Sequence, residues 1–177
     1  MLPAPGERCA SLNRALIVDD KPENLYLLRV LLQGHGYEVE EARHGAEALV
    51  MARHTPPQIV ICDLLMPVMD GYTLLRHWRK DARLKTVPFV VYTATYTDSQ
   101  DEQFALDLGA DAFIIKPAEP SPLMAQIGEV MARARTGEVA SIRANVSDEK
   151  NRYSTISNTL IGPTLSSSSK TILRQAS

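Results

Sequence analysis

The sequence predicts an α/β protein, a doubly wound sheet of five parallel strands in the order 2-1-3-4-5 with helices on both faces. Three observations carry that prediction. Short apolar runs alternate five times with segments of helical period. Four of the runs are too apolar for a half-exposed strand and suit strands covered on both sides. Right-handed crossovers leave few topologies for such an alternation, and this order is the natural one for five units.

The first strand is Ala15–Val18. The helix after it begins near Pro22, whose fixed φ and missing N–H suit a first turn, and Leu25, Leu28 and Leu32 form its apolar stripe. The second strand, Tyr37–Glu40, is more polar and is expected at a sheet edge. Ala46–Arg53 is the second helix, Ile59–Cys62 the third strand, Tyr72–Lys80 the third helix and Pro88–Tyr92 the fourth strand. The fourth helix, Ser99–Leu108, opens with Asp98, Asp101 and Glu102, whose charge suits the positive helix start, and it stops at Gly109. Ala112–Ile115 is the last strand, and Ser121–Arg135, with Leu123, Ile127 and Met131 on one side, is the last helix. The folded unit is thus expected over 13–135, after a short flexible arm at 1–12. Residues 136–177 contain the run Ser166–Ser169 and no sustained period, and read as a disordered tail or a truncated linker.

Composition narrows the function classes. The chain has 177 residues, 45% hydrophobic and 23% charged, the balance of a soluble globular protein. A net charge of −2 gives no basic field for nucleic acid or anionic lipid. Cys9 and Cys62 form neither a metal nor a redox spacing, so a reducing, cytoplasmic setting is expected. The opening residues lack the apolar core of a signal peptide and no run is long enough to span a bilayer, so no direct membrane contact is expected.

The strand ends hold the chemistry. The first strand runs into Asp19 and Asp20, the third into Asp63, the fourth into Thr93, and the fifth into Lys116 followed by Pro117. In a parallel sheet these ends share one edge, and ligands bind where strand order reverses, here between strands one and three. Two carboxylates about 4 Å apart repel by about 4 kcal/mol at an effective dielectric of 20, so three of them together call for a cation. Hard oxygen donors suit Mg²⁺, which keeps several waters and shares phosphate oxygens. A metal, a lysine and a carboxylate make a phosphoryl-transfer site in which Asp63 serves as nucleophile.

With "LIVDDK" at 16–21, "DLLMPVMDG" at 63–71, "YTAT" at 92–95 and "GADAFIIKP" at 109–117, the chain resembles the receiver domain of two-component response regulators over 13–135. The stretch "YTATYTD" looks closest to receivers of hybrid sensor histidine kinases. The resemblance implies a flavodoxin-like fold with Asp63 as phosphoacceptor. It implies Mg²⁺ bound by Asp20, Asp63 and the Leu65 backbone carbonyl, with Asp19 acting through water. It gives Lys116 to the phosphoryl group, makes Thr93 and Phe113 the switch pair, and implies a cis Lys116–Pro117 bond, although a trans bond is the better expectation from the residues alone. Leu65 and Thr95, two residues past Asp63 and Thr93, are implied to set the lifetime of the phosphoryl state. The implied partners are a histidine kinase or a histidine phosphotransfer protein, with a possible homodimer through the fourth helix, fifth strand and fifth helix.

Blander readings stand beside these. Asp63 alone could cap the next helix, Asp19 or Asp20 the helix at Pro22, and Lys116 could be a solvated turn residue. Thr93 could be an ordinary strand end and Phe113 simple core. Cys62 reads as a structural core residue. His35, His44, His54 and His77 lack the surroundings of a kinase histidine, and no glycine-rich ATP segment accompanies them. A phosphatase of the haloacid-dehalogenase type needs an aspartate where Leu65 stands. A phosphorylation-independent adaptor, or a detached receiver fragment of a hybrid kinase, is the main alternative. The tail shows no helix-turn-helix pattern that would bring a DNA-binding output.

Overall fold

The computed structural model describes residues 13–95 and 98–137. They form β1 (Asn13–Val18), α1 (Pro22–Gly34), β2 (Tyr37–Ala42), α2 (Gly45–His54), β3 (Ile59–Cys62), α3 (Gly71–Lys80), β4 (Phe89–Thr93), α4 (Ser99–Asp107), β5 (Ala112–Ile115) and α5 (Pro120–Thr136). The strands pair in parallel in the order β2-β1-β3-β4-β5, as expected. The expected arm at 1–12 and all of the expected tail beyond Gly137 lie outside the described residues. Thr136 belongs to α5, which ends at Gly137 with φ 76°, a left-handed stop that glycine adopts without strain.

Strand alternation divides the core into two layers. Leu16, Val18, Val60, Cys62, Phe89 and Val91 point toward α2, α3 and α4, where Leu74, Leu75 and Trp78 meet them. Ala15, Ile17, Ile59, Ile61, Val90 and Ile114 point the other way, toward Leu25, Leu28 and Leu32 of α1 and Leu123, Ile127 and Met131 of α5. The leucine stripe and the α5 stripe read from the sequence are therefore the helix faces that cover one side of the sheet.

Several boundaries differ from the sequence reading for local reasons. β1 starts two residues early because Asn13 and Arg14 pair with Tyr37 and Glu38. β2 continues to Ala42, which pairs with Val18 and is fully buried at an otherwise polar edge. β4 begins at Phe89 because Pro88 has no N–H for the ladder; its carbonyl still accepts from Val60 N at 3.0 Å. α3 and α4 are capped by Asp70 and Asp98, whose carboxylates accept from Thr73 N at 2.7 Å and Asp101 N at 2.8 Å. Asp63 is thereby released from the capping role that a lone aspartate would suggest.

One strut ties the α3 side together. Arg79 donates to Gly109 O at 2.8 Å, Val87 O at 2.9 Å and the Asp111 carboxylate at 3.0 Å, and Asp111 also accepts from Phe89 N at 2.7 Å. Both side chains are largely buried, so this pair fixes α3 against the start of β4 and the turn before β5.

Candidate functional site

The carboxyl ends of β1, β3, β4 and β5 open onto a cleft of about 590 Å³. Asp19, Asp20, Asn24, Asp63, Leu65, Pro67, Thr95 and Lys116 border it. The cleft lies where strand order reverses between β1 and β3, the ligand position general to such sheets.

Asp63 follows the last paired residue of β3, and its backbone is fixed by Asp63 N donating to Val18 O at 2.9 Å. Its carboxylate is buried but reached from the cleft. Oδ1 accepts from Lys116 Nζ at 3.0 Å and Oδ2 from Leu65 N at 3.0 Å. The backbone here is held tightly. A Cβ on Gly71 would lie 2.3 Å from the Asp63 carbonyl oxygen, so only glycine lets α3 start this close to the acid. Gly71 N in turn donates to Leu64 O at 2.9 Å. In the same loop Val68 has φ 68°, a left-handed conformation that costs a β-branched residue energy.

Lys116 sits between two acids, donating to Asp19 Oδ2 as well as Asp63 Oδ1. Burial works against its charge, but the hydrogen bonds and charges of Asp19 and Asp63 outweigh it and hold the ammonium above the usual lysine value. The Lys116–Pro117 peptide is cis, in agreement with what the resemblance implies.

Asp19 is saturated: its carboxylate also accepts from Lys21 N at 2.9 Å and from Asn24 Nδ2 at 3.1 and 3.0 Å. Neither Asp19 nor Asp20 caps α1, whose N-cap position is Lys21 with no side-chain cap bond. Asp20 is exposed at the rim of the cleft, and no hydrogen bond or ion pair among the described residues engages its carboxylate. The three acids border one cleft but do not meet as a ready-made ligand cluster; among the described residues no three acidic, thiol or imidazole groups are so arranged. Asp19 and Asp63 close on Lys116 instead, since the ammonium supplies the counter-charge that two buried carboxylates need. The donor chemistry fits Mg²⁺: hard carboxylate oxygens from two strands around a cleft that already seats one cation, with Asp20 turned to solvent.

Thr93 and Phe113 are not brought into the cleft. Thr93 is fully buried, and its hydroxyl donates to Thr95 O and accepts from Thr95 N, both at 3.1 Å. Ala94 and Thr95 line the cleft in its place. Phe113 pairs in register with Val91 and packs half-buried against the α2–α3–α4 layer. Cys62 is a core residue, as read from the sequence: fully buried, it donates to Asp63 O at 2.9 Å, and burial pushes its thiol well up.

Two residues of the site escaped the sequence reading. Asn24 lies five positions past Asp19, and only the turn at Asp20–Lys21 folds it back onto that carboxylate. Tyr92 precedes Thr93, and its ring centroid lies 5.1 Å from Lys116 Nζ. An aromatic at a strand end in contact with a distant lysine leaves no local signal.

The family model of the response regulator receiver domain matches residues 15–128, and the chain belongs to that family. It is 33% identical over 119 residues to Protein PilH of Pseudomonas aeruginosa, covering 67% of this chain and 98% of that one. It is 37% identical over 125 residues to the DNA-binding response regulator MtrA of Mycolicibacterium smegmatis, covering 71% of this chain and 52% of MtrA. The chain thus matches nearly all of PilH and about half the length of MtrA. Among solved structures it is similar to the receiver domain of a signal transduction histidine kinase from Syntrophus aciditrophicus. That likeness has a TM-score of 0.63 and 35% identity, over 68% of this chain and 90% of the other. The fold is that of a CheY-like receiver domain, and the place of such domains is two-component signalling. Among the described residues no helix is long and apolar enough to cross a membrane.

Proposed function

We propose that this protein is a phosphoacceptor switch in which Asp63 takes a phosphoryl group from a phosphohistidine of a histidine kinase or histidine phosphotransfer protein in the cytoplasm. The observation that carries the reading is the Asp63 carboxylate, fixed at the floor of an open cleft with Lys116 on one oxygen and the Leu65 N–H on the other. An Asp63 carboxylate oxygen attacks phosphorus, an O–P bond forms, the P–N bond breaks, and the imidazole leaves. Asp20, Asp63 and the Leu65 carbonyl would hold Mg²⁺ directly and Asp19 through water. Bound there, the ion supplies neutralisation of the phosphoryl oxygens. Lys116, already between Asp19 and Asp63, adds its fixed charge to the same oxygens.

The switch would act through the buried Thr93. Its hydroxyl exchanges the Thr95 backbone for a phosphoryl oxygen, and Phe113 follows into the space beneath, changing the surface of α4, β5 and α5. That surface is the place for a homodimer or a downstream partner. The protein catalyses only its own phosphorylation and dephosphorylation. Leu65 is half exposed and apolar at the mouth of the cleft, while Thr95 already spends its backbone N–H and carbonyl on Thr93. Leu65 brings no polar group to orient water, so a long-lived phosphoryl state is expected, and Leu65→Asn shortens it several-fold. A variant that loses phosphate no faster than wild type refutes that role.

The deciding experiment is intact mass after incubation with acetyl phosphate, with and without Mg²⁺, for wild type and Asp63→Asn. One phosphoryl group gained only with Mg²⁺ and only by wild type is the expected result. No gain from this donor or from a phosphorylated histidine protein leaves a phosphorylation-independent adaptor. Rapid consumption of acetyl phosphate with no lasting adduct makes the protein a phosphatase.

A further inference from the structure

We propose that Tyr92 is a positioning residue for Lys116: the face of its ring holds the ammonium over the Asp63 carboxylate. Lys116 Nζ lies 5.1 Å from the ring centroid, within the range in which an ammonium is attracted by the ring quadrupole. The backbone locks the two residues side by side. Lys116 N donates to Thr93 O at 2.8 Å, and Tyr92 pairs in register with Ile114. Alternation along β4 then sends consecutive side chains to opposite faces. Thr93 goes toward the α3–α4 side, and Tyr92 goes toward the α1–α5 layer, where it packs half-buried. A narrow gap under the site is bordered by Tyr92, Asp19, Asn24, Cys62 and Asp63, which places the ring directly beside the acids.

The ammonium therefore has three holders: the Asp19 carboxylate, the Asp63 carboxylate and the Tyr92 ring. Of the three, only Asp63 changes its character in the reaction; the Asp19 carboxylate and the ring keep theirs. This step rests on Asp63 being the phosphoacceptor. When Asp63 is esterified, the oxygen that joins phosphorus loses its full charge, and Lys116 must turn to the phosphoryl oxygens. The aromatic face restrains the lysine stem while that anchor changes, so less side-chain freedom is lost in the transfer. The attraction comes from the ring and not from the hydroxyl, which separates a positioning role from simple packing.

The test compares wild type, Tyr92→Phe and Tyr92→Leu, each first shown to be folded by thermal unfolding. Carbon-13-labelled lysine reports the Lys116 Cε protons, which lie in the ring current when the ammonium sits over the face. The second readout is the rate of Mg²⁺-dependent phosphoryl gain from acetyl phosphate by intact mass. The expected result is an upfield Lys116 signal in wild type and Tyr92→Phe, and its loss in Tyr92→Leu. The labelling rate should fall about fivefold in Tyr92→Leu and be recovered by Tyr92→Phe. If Tyr92→Leu does not fold, Tyr92→Met carries the same comparison. Wild-type rate in the folded apolar variant overturns the role of Tyr92 and leaves Asp63 as phosphoacceptor. If wild type itself gains no phosphoryl group, the function proposed above fails, and the Lys116 signal alone decides: unchanged in the apolar variant, it overturns the contact.

Discussion

Gly71→Ala tests how closely the start of α3 is bound to the reactive acid. An added Cβ would stand 2.3 Å from Asp63 O, 2.9 Å from Leu64 Cα and 3.1 Å from Leu64 Cδ2. Two of these are backbone atoms of the loop that presents Asp63, so no side-chain rotation relieves them. Restoring ordinary contact at about 3.4 Å requires the Asp63 carbonyl and the helix start to separate by about 1 Å. Overpacking of this kind costs about 1–3 kcal/mol, against about 1 kcal/mol that alanine gains over glycine in a helix. A net loss of up to about 2 kcal/mol is expected by urea unfolding. The functional loss is larger, because a displacement of about 1 Å at a reacting group costs on the order of 100-fold in rate. Phosphoryl gain from acetyl phosphate, timed by intact mass, should fall by 10- to 100-fold on the order set by that displacement. The control is Gly34→Ala at the end of α1, where an added Cβ meets nothing within 4 Å, and which should be neutral or slightly stabilising. A Gly71→Ala protein as stable and as rapidly labelled as wild type would show that the loop has slack, and the reasoning fails.

Other substitutions probe the same frame. Val68→Gly relieves a left-handed β-branched residue that is 82% exposed, and should stabilise by about 1 kcal/mol, a rise of a few degrees in Tm. An unchanged or lower Tm refutes the strain. Arg79→Met takes the guanidinium away from the buried Asp111 carboxylate, and a loss of about 3 kcal/mol is expected in urea. A loss below about 1 kcal/mol would show that the strut is dispensable. The Asp101 backbone N–H, with a smaller contribution from Gln100 N, holds the Asp98 carboxyl below its ordinary value. The cap on α4 is therefore complete above the ordinary carboxylate range near pH 4 and is lost as pH falls through the lowered folded value. Amide exchange at Gln100 and Asp101 should quicken over that acid window in wild type and show no such step in Asp98→Ala.

Much of this protein is written in its linear pattern. Short continuous apolar runs and period-3.6 apolar spacing determined the five strands, the five helices and their two-sided packing, because burial of a continuous apolar face tolerates little ambiguity. The polar residues ending the strands, Asp19, Asp20, Asp63, Thr93 and Lys116, pointed to one edge, because strands that run parallel end together. Boundaries were less legible. The pairing of Asn13 with Tyr37 and the missing N–H of Pro88 act across strands, and a single strand carries no record of its neighbour.

Tertiary structure alone decided how the site is wired. It closed Lys116 onto Asp19 as well as Asp63, folded Asn24 back to Asp19, laid Tyr92 against the ammonium and left Thr93 bound to Thr95 outside the cleft. It also gave capping to Asp70 and Asp98 and kept Asp63 free of it. The reason is physical. Sequence periodicity fixes which face a side chain occupies, but a charged group's contacts depend on competition among all the donors and acceptors that folding brings within reach. That competition is settled by distances of a few ångströms between residues far apart in the chain, such as Asp19 and Lys116.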